Sequence, residues 1–482
     1  MTAGLLLSFV VSFAVGWFIV SLFWSTALHD SASRRLVRIF LAFGIGQGIT
    51  SCVAFLYLVV HGRASAAYPI VELPLFAALA VVFAFTKRRS ATRRAVPESM
   101  PQQQANPSRS HMLLATAFYT SAAMALATVA LRLWQLPHGG HDAWVIWNAR
   151  ARAIYRMGDA WREDIFGVVL AHVHLDYPLL LPVSVARIWM YANGETLLAS
   201  ALLAWLFTAA TLGLLVTAVA ALCGRTHAYA AGLVLLGYTF FVLHANSELA
   251  EAPIVHFYLA TFALIAFHNE GAAAGRRFLM LAGIAAGLAA WTKNEGLLFL
   301  LALAIAHFAV MMHARNPRGY LREVLALGAG LLPIAAIILY FKTQLAPENV
   351  WIADVTAPQL TAHVKDAGRY FAIFREFAQH LILYTGPGVN MVYLLVLLIA
   401  CFGITRRHVP TVAQTAIALT VMFCGFVGVY LTTELNVRTF MMGSIDRLLL
   451  QLWPPFVFGF FLLTAPIDWR NAPAGEAAAV AG

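Results

Sequence analysis

The residues best suited to chemistry lie in one polar loop, residues 138–197, between two long apolar segments. A carboxylate such as Asp142 could accept the proton of an attacking hydroxyl. Side chains that could bind a substrate stand close to it in the chain: His141, Arg150, Asp176 and Tyr177. Two plainer explanations stay open, because Asp142 could cap the helix that follows it and Asp176 could set the turn into Pro178.

The same loop offers a second kind of chemistry. Imidazole and carboxylate groups are ligands that suit zinc or manganese. A divalent cation could therefore be held by a set of His141, His172, His174 and Asp176. Their spacing matches no established metal motif, so no metal is assigned.

Further candidate residues stand at the ends of later apolar segments. Glu248 and Glu251 lie in one connection, Lys293 lies in another, and Arg438 and Arg447 precede the last apolar segment. A lysine or arginine here could hold a phosphate whose charge grows during a reaction. Alternatively, the two glutamates are solvated and Lys293 extends to the membrane interface.

The composition identifies the class of protein. Of the 482 residues, 61% are hydrophobic and 11% are charged, whereas soluble domains carry about 25% charged residues. Long apolar runs without period-two alternation predict an all-α integral membrane protein. The net charge of +10 resides in short basic connections, as topology control requires, so nucleic acid is not an expected partner. The four cysteines show no paired spacing and imply no disulfide framework.

We predict about thirteen membrane-spanning helices, at residues 4–28, 38–60, 68–86, 112–134, 197–222, 228–243, 249–267, 278–291, 295–313, 322–343, 386–405, 411–433 and 447–466. With this count, every arginine-rich connection falls on one side, which must be the cytoplasm. The amino terminus is then outside and the carboxyl terminus inside. The first 23 residues lack a basic leader and predict a spanning helix.

The chain divides at a polar segment rich in Pro, Gln and Arg, residues 87–111, which predicts a cytoplasmic linker. A three-helix unit, 1–86, precedes this linker. The membrane core, 112–343, contains the first outer loop, 138–197. Residues 344–466 form a second outer loop and the last helices, and 467–482 a disordered tail.

Two apolar stripes predict helices that lie flat in the membrane interface. The first runs through Trp144, Trp147, Ala151, Ile154 and Tyr155, and the second from Leu360 to Ala378. Such helices would border a cavity open to membrane lipids. Alternatively, both stripes pack against the helix bundle.

Four segments, taken in order, resemble the GT-C glycosyltransferases. They are Asp142, the helix Trp144-Val145-Ile146-Trp147-Asn148-Ala149-Arg150-Ala151-Arg152, the run Asp176-Tyr177-Pro178-Leu179-Leu180-Leu181-Pro182, and Trp291-Thr292-Lys293-Asn294-Glu295-Gly296. The resemblance covers residues 112–466 and is nearest to the protein-mannosyltransferase and lipid A aminoarabinose transferase group, including its bacterial members. The three helices before residue 87 depart from the family pattern.

The resemblance implies a GT-C-like helix bundle in a bacterial inner membrane. It also implies a sugar donor carried on polyprenyl phosphate, inversion at the anomeric carbon, and Asp142 as the base. The donor phosphate would be held by Lys293, Arg438 and Arg447. The acceptor would be a lipid, a cell-envelope glycan or a protein. A lipid-linked glycan polymerase or ligase and, in another class, a transporter are the alternatives.

Overall fold

The computed structural model describes residues 2–24, 31–91, 109–166, 174–271, 276–348, 356–382, 390–433 and 436–465. Regular structure in these ranges is helical, apart from one isolated β-bridge between Ile404 and Thr464. Most of the predicted linker and the whole of the predicted disordered tail lie outside the described residues. The predicted all-α fold is confirmed.

Twenty α-helices follow one another along the described chain. The first ten are α1 Thr2–Phe23, α2 Ala32–His61, α3 Tyr68–Ala91, α4 Arg109–Gln135, α5 Asn148–Arg156, α6 Trp161–Phe166, α7 Leu180–Ala192, α8 Leu198–Cys223, α9 Arg225–Gly237 and α10 Thr239–Ala245. The second ten are α11 Glu251–Glu270, α12 Arg277–Thr292, α13 Glu295–His313, α14 Pro317–Gln344, α15 Ala357–Lys365, α16 Ala367–Ile382, α17 Met391–Phe402, α18 Val409–Thr432, α19 Val437–Met442 and α20 Ile445–Leu463.

Ten of these helices are long and apolar enough to cross a membrane singly: α1, α2, α3, α4, α8, α11, α13, α14, α18 and α20. Helices α9 and α10 would make an eleventh span, bent by 69°. Helices α12 and α17 occupy predicted spans but have only 16 and 12 residues, and about 20 residues are needed to cross the hydrocarbon layer. The chain is a multi-pass membrane protein, and the count of thirteen spans is not confirmed.

Helix α11 forms the centre of the bundle, with nearly all of its residues buried. It contacts α8, α12 and α20. Close approach of backbones holds the amino-terminal pair together: a Cβ on Gly16 of α1 would stand 1.8 Å from the Ala42 carbonyl oxygen, and one on Gly46 of α2 would stand 1.9 Å from that of Ser12. Small residues at such crossings are the usual means of helix association in membranes.

Charged side chains gather at the two ends of the bundle. At one end, Glu270 accepts from Arg34 at 3.1 Å and from Arg407 at 3.4 Å; we call this the arginine end. The beginning of α11, the end of α12 and the beginnings of α13 and α20 meet at the opposite end, which we call the site end. The basic connections of Arg34, at the beginning of α2, and of Arg407, before α18, therefore lie at the same end of the bundle. The predicted alternation of spans requires this.

A buried ion pair fastens α3 to the bundle. The guanidinium of Arg187 on α7 donates to both carboxylate oxygens of Glu72 on α3, the shortest contact being 2.7 Å. Tyr68 and Tyr191 donate their hydroxyls to the same carboxylate, and Arg187 also donates to the Ser8 carbonyl of α1. Because α3 is otherwise largely exposed, this network is its main polar attachment.

The two predicted interfacial stripes differ in the structure. In the first, Trp147, Ala151 and Ile154 are buried and α5 packs against α7, so the prediction that this face lies in lipid is wrong. The second stripe belongs to two helices, because the chain breaks at Asp366 between α15 and α16. Its Phe371 and Phe374 are exposed, as contact with lipid would require.

Candidate functional site

Asp142 lies at the site end, on the turn that follows α4. It stands just before a π-helical turn, Ala143–Trp147, and its side chain makes no cap bond to that turn. Instead, one carboxylate oxygen accepts from Arg447 at 2.6 Å. The imidazole of His141, 77% exposed, lies 3.4 Å from the other oxygen. Helix capping therefore does not explain this aspartate, whose partner is a cation 305 positions further along the chain.

Arg447 is supplied by the first turn of α20. Its guanidinium also donates to the Gly443 carbonyl at 3.0 Å, which orients the side chain toward the loop of Asp142. Its side chain is 23% exposed, so the cation is accessible from one side while it is paired on the other. That combination suits a group that holds an anion.

Lys293 stands between α12 and α13 and is buried in ion pairs. Its ammonium lies 2.9 Å from the carboxylate of Glu251 and 2.6 Å from that of Glu295. Burial lowers the pKa of Lys293, but Glu251, Glu295 and Tyr177 together raise it by more, so the net shift is upward and the group stays charged. Its side chain is only 7% exposed, which excludes the alternative that Lys293 extends to the membrane interface.

Tyr177 joins this cluster as an aromatic wall. Its ring is nearly parallel to that of Trp147, with centroids 5.8 Å apart, and to that of His174, with centroids 4.7 Å apart. The ammonium of Lys293 stands 5.5 Å from the same ring, within the range of a cation–π contact. Burial raises the pKa of the Tyr177 hydroxyl, so it stays protonated.

Asp176 and Arg150 hold the loop beneath Tyr177. Asn294 donates to the carboxylate of Asp176 at 2.5 Å. Lys342 of α14 donates to the Asp176 carbonyl and, at 2.8 Å, to the Asn294 side chain. Arg150, fully buried, donates to the carbonyls of Leu175 and Tyr177 at 3.2 and 2.9 Å. These side chains position the loop, and neither Asp176 nor Arg150 lines the site cavity described next.

Beside the cluster lies a cavity of about 490 Å³, bordered by α13, α18 and the connection before α20. We call it the site cavity. Its polar end is formed by His174, Tyr177, Lys293, Glu295 and Arg447. The remainder is mostly apolar and includes Leu298, Phe426, Val429, Phe440 and Leu448. A ligand with a charged head and a hydrocarbon tail matches this division.

Two predicted residues lie apart from the cluster. Arg438 is 67% exposed and stands 3.6 Å from Glu376 of α16, so its cation is not brought beside Lys293. Glu248, in the turn before α11, accepts from Asn148 at 3.2 Å and is buried. Of the two glutamates in this connection, only Glu251 reaches the ion-pair cluster, because it begins α11 while Glu248 turns away with a positive φ of 55°.

Sequence reasoning missed two residues of the site, Asn294 and Lys342. Asn294 stands beside Lys293 in the segment from Trp291 to Gly296, but the sequence predicts no role for it. Lys342 closes an otherwise apolar segment, and an ionisable group at the end of such a run was the available signal.

The described residues hold no group of three or more His, Cys, Asp or Glu side chains that could bind a metal ion. One member of the alternative cation set, His172, lies outside the described residues. The divalent cation therefore stays an alternative and has no part in the proposed reaction.

Comparisons with family models, with curated proteins and with solved structures find no match for this chain.

Glu248 predicts a pH-dependent stability. Burial raises its pKa from 4.5 to about 7, against the opposing effects of Ser200, Asn148 and Arg152. The folded protein thus binds the proton more tightly than the unfolded chain does, so this group's contribution is fully present below pH 4.5 and is lost as pH rises through 7. Between pH 5 and pH 8, we expect the free energy of unfolding of Glu248→Gln to rise relative to that of wild type by about 2 to 3 kcal/mol.

Unfolding of both proteins in detergent, followed across pH 5–8, measures this effect. Only the difference between the two curves counts, because other titrating groups are common to both. Parallel curves over this range would refute the assignment.

Proposed function

We propose that this chain is an inverting membrane glycosyltransferase. It would transfer a sugar from polyprenyl phosphate to a hydroxyl of a lipid, cell-envelope glycan or protein, on the outer side of a bacterial inner membrane. The observation that carries the proposal is the contact of Asp142 with Arg447 at 2.6 Å, because Arg447 lines the polar part of a largely apolar cavity. A carboxylate base beside a cation that faces a lipid-sized space is what this reaction needs. The order of the motifs quoted above supports the same proposal.

The site cavity suits the donor. Its apolar part, between α13 and α18, would take the first isoprene units of the carrier. Gly428 leaves open space there, since a Cβ at this position would meet no atom within 4 Å. The donor phosphate would then lie at the polar end, near Arg447 and Lys293. The hydrocarbon chain of the carrier would exclude water from this space, so each charge–charge contact would be stronger than at a surface.

In the proposed reaction, the acceptor oxygen attacks the anomeric carbon of the donor. The new carbon–oxygen bond forms on the face opposite the phosphate, and the anomeric carbon–phosphate oxygen bond breaks. The hydroxyl proton passes to the carboxylate of Asp142. The bonding electrons leave with polyprenyl phosphate, whose added negative charge is stabilised by Arg447 and Lys293.

Both cations are already paired with carboxylates. The donor phosphate must therefore share Arg447 with Asp142 and Lys293 with Glu251 and Glu295. As Arg447 turns toward the phosphate, the carboxylate of Asp142 is freed from part of its contact with the guanidinium and can accept the hydroxyl proton. Donor binding and activation of the base are coupled in this way.

Transport is the second candidate, and one observation favours it. Helices α9 and α10 form a span bent by 69°, and broken helices often form transporter substrate sites. The break, however, lies between Gly237 and Thr239, and neither residue contributes to the ion-pair cluster. The ionisable groups gather at helix ends, which favours chemistry at the membrane surface.

Replacing the base tests the proposal. We expect Asp142→Asn to lower the rate of sugar transfer by about a hundred- to ten-thousand-fold, because the amide cannot accept the proton. The measurement is transfer from radiolabelled polyprenyl-phosphate sugars to membrane acceptors, with a panel of sugars. Asp159→Asn is the matched control, since Asp159 is an exposed carboxylate of the same loop outside the site cavity. Full transfer by Asp142→Asn would eliminate this residue as the base.

Filling the cavity tests the place of the donor. A phenylalanine at Gly428 would enter open space in the site cavity, whereas one at Gly328 of α14 would enter open space elsewhere. We expect Gly428→Phe to raise the donor KM at least tenfold and Gly328→Phe to leave it unchanged. Equal donor KM values for the two variants would place the donor outside this cavity.

A further inference from the structure

A second cleft, of about 570 Å³, opens on the loop that carries Asp142. We call it the arginine–tryptophan cleft. It is lined in part by His138, Trp144, Arg152, Arg156, Glu195 and Thr196. None of these residues lines the site cavity. His138 and Trp144 stand on either side of Asp142 in the chain, so the two cavities share the short segment that holds the proposed base.

Trp144 differs from its neighbour Trp147 in what it contacts. Trp147 is buried against Tyr177, whereas Trp144 is 50% exposed and faces the cleft. Its ring touches the imidazole of His141 edge-on, with centroids 5.8 Å apart. An indole face left open in a polar cleft offers a flat apolar surface, which matches the C–H face of a sugar ring.

The charges of the cleft are arranged for hydrogen bonding. Arg156 holds Glu195 through two contacts, at 2.5 and 2.6 Å, and this geometry leaves the carboxylate fixed in place. Arg152, one helical turn earlier on α5, acts through its charge on the nearby carboxyl groups of Glu195 and Glu248, but its guanidinium is within hydrogen-bond or ion-pair distance of no residue that the structure describes. Its planar guanidinium matches a carboxylate or a phosphate in two parallel hydrogen bonds.

We propose that the arginine–tryptophan cleft binds the acceptor as an anionic glycan. One sugar ring lies on Trp144, and its carboxylate or phosphate group is held by Arg152. Glu195 accepts hydrogen bonds from sugar hydroxyls. This inference rests on the proposed glycosyl transfer, and it adds the chemical class of the acceptor and the side of the loop from which it reaches Asp142.

Binding of defined probes to the full chain in detergent tests this cleft without any turnover. The probes are trigalacturonate, which carries carboxylates, glucose 6-phosphate, which carries a phosphate, and maltotriose, which is neutral. Affinity is measured by titration calorimetry. We expect one of the anionic probes to bind at least tenfold more tightly than maltotriose, and which one it is identifies the anion.

Three variants separate the contributions. Arg152→Gln should remove the preference for the anionic probe, and Trp144→Ala should weaken the anionic and neutral probes alike. Glu195→Gln should raise the affinity for the anionic probe severalfold, because it removes a negative charge from the cleft and keeps a side-chain oxygen that accepts from sugar hydroxyls. A gain of affinity cannot come from misfolding. Arg132→Gln, at an exposed arginine of α4 outside the cleft, is the control and should bind like wild type.

Two results would overturn the inference: no anionic probe binds better than maltotriose, or Arg152→Gln binds the preferred probe as wild type does. If the protein binds the probe through Arg152 but transfers no sugar, the glycan site stands and the proposed transferase activity is rejected. If the protein transfers sugar but the cleft variants bind the probes as wild type does, the proposed transferase activity stands and this acceptor site is rejected.

Discussion

Charges inside a membrane protein have to be paired, and this constraint organises the whole structure. An isolated ion in a low-dielectric interior is too costly to keep. The chain meets this cost by bringing together groups from distant segments, such as the buried pair of Lys293 and Glu251, 2.9 Å apart. At the partly exposed edge of the site end, Asp142 of the first loop stands 2.6 Å from Arg447 of the last spanning helix. That contact joins the loop to the bundle and, at the same time, places a carboxylate next to a cation.

Helix α11 connects the two charged ends. Its first residue, Glu251, binds Lys293 at the site end, and its last residue, Glu270, binds Arg34 and Arg407 at the arginine end. Between them lie buried and mostly apolar residues. Twenty residues of helix span about 30 Å, which matches the thickness of the hydrocarbon layer. The central helix thus sets the distance between the two charge clusters.

Much of this arrangement could be predicted from the sequence, because apolar length and basic connections are local signals. Each predicted span contains a helix, and the basic connections around Arg34 and Arg407 lie at one end. The resemblance assigns Asp142 and Arg447 to one site, but their direct contact could not be predicted, since nothing near Asp142 in the chain points to its partner. The sequence grouped Arg438 with Lys293 by position alone, and Arg438 lies instead beside Glu376.

The stripe of Trp144 and Trp147 shows a second limit of sequence reasoning. Its period of about 3.6 residues correctly predicted helix, but the same pattern suits lipid contact and protein contact alike. The neighbour that decides the surroundings of Trp147 is Tyr177, whose ring is nearly parallel to the indole at 5.8 Å. Helix α7, in a part of the outer loop for which no helix is predicted, packs against α5. With these contacts Trp147, Ala151 and Ile154 are buried, whereas Trp144 is 50% exposed. The two aromatic residues then have different surroundings, and only one of them borders the arginine–tryptophan cleft.

The proposed chemistry requires the site end to face the outer side of the membrane, and thiol labelling measures this directly. His141→Cys, at an exposed position beside Asp142, and Arg318→Cys, at an exposed position that begins α14, are each placed in a chain whose four cysteines are replaced by serine. A membrane-impermeant maleimide is applied to sealed right-side-out vesicles. We predict that residue 141 is labelled at once and residue 318 only after the vesicles are opened. Labelling in the reverse order would put the proposed base in the cytoplasm and contradict the account.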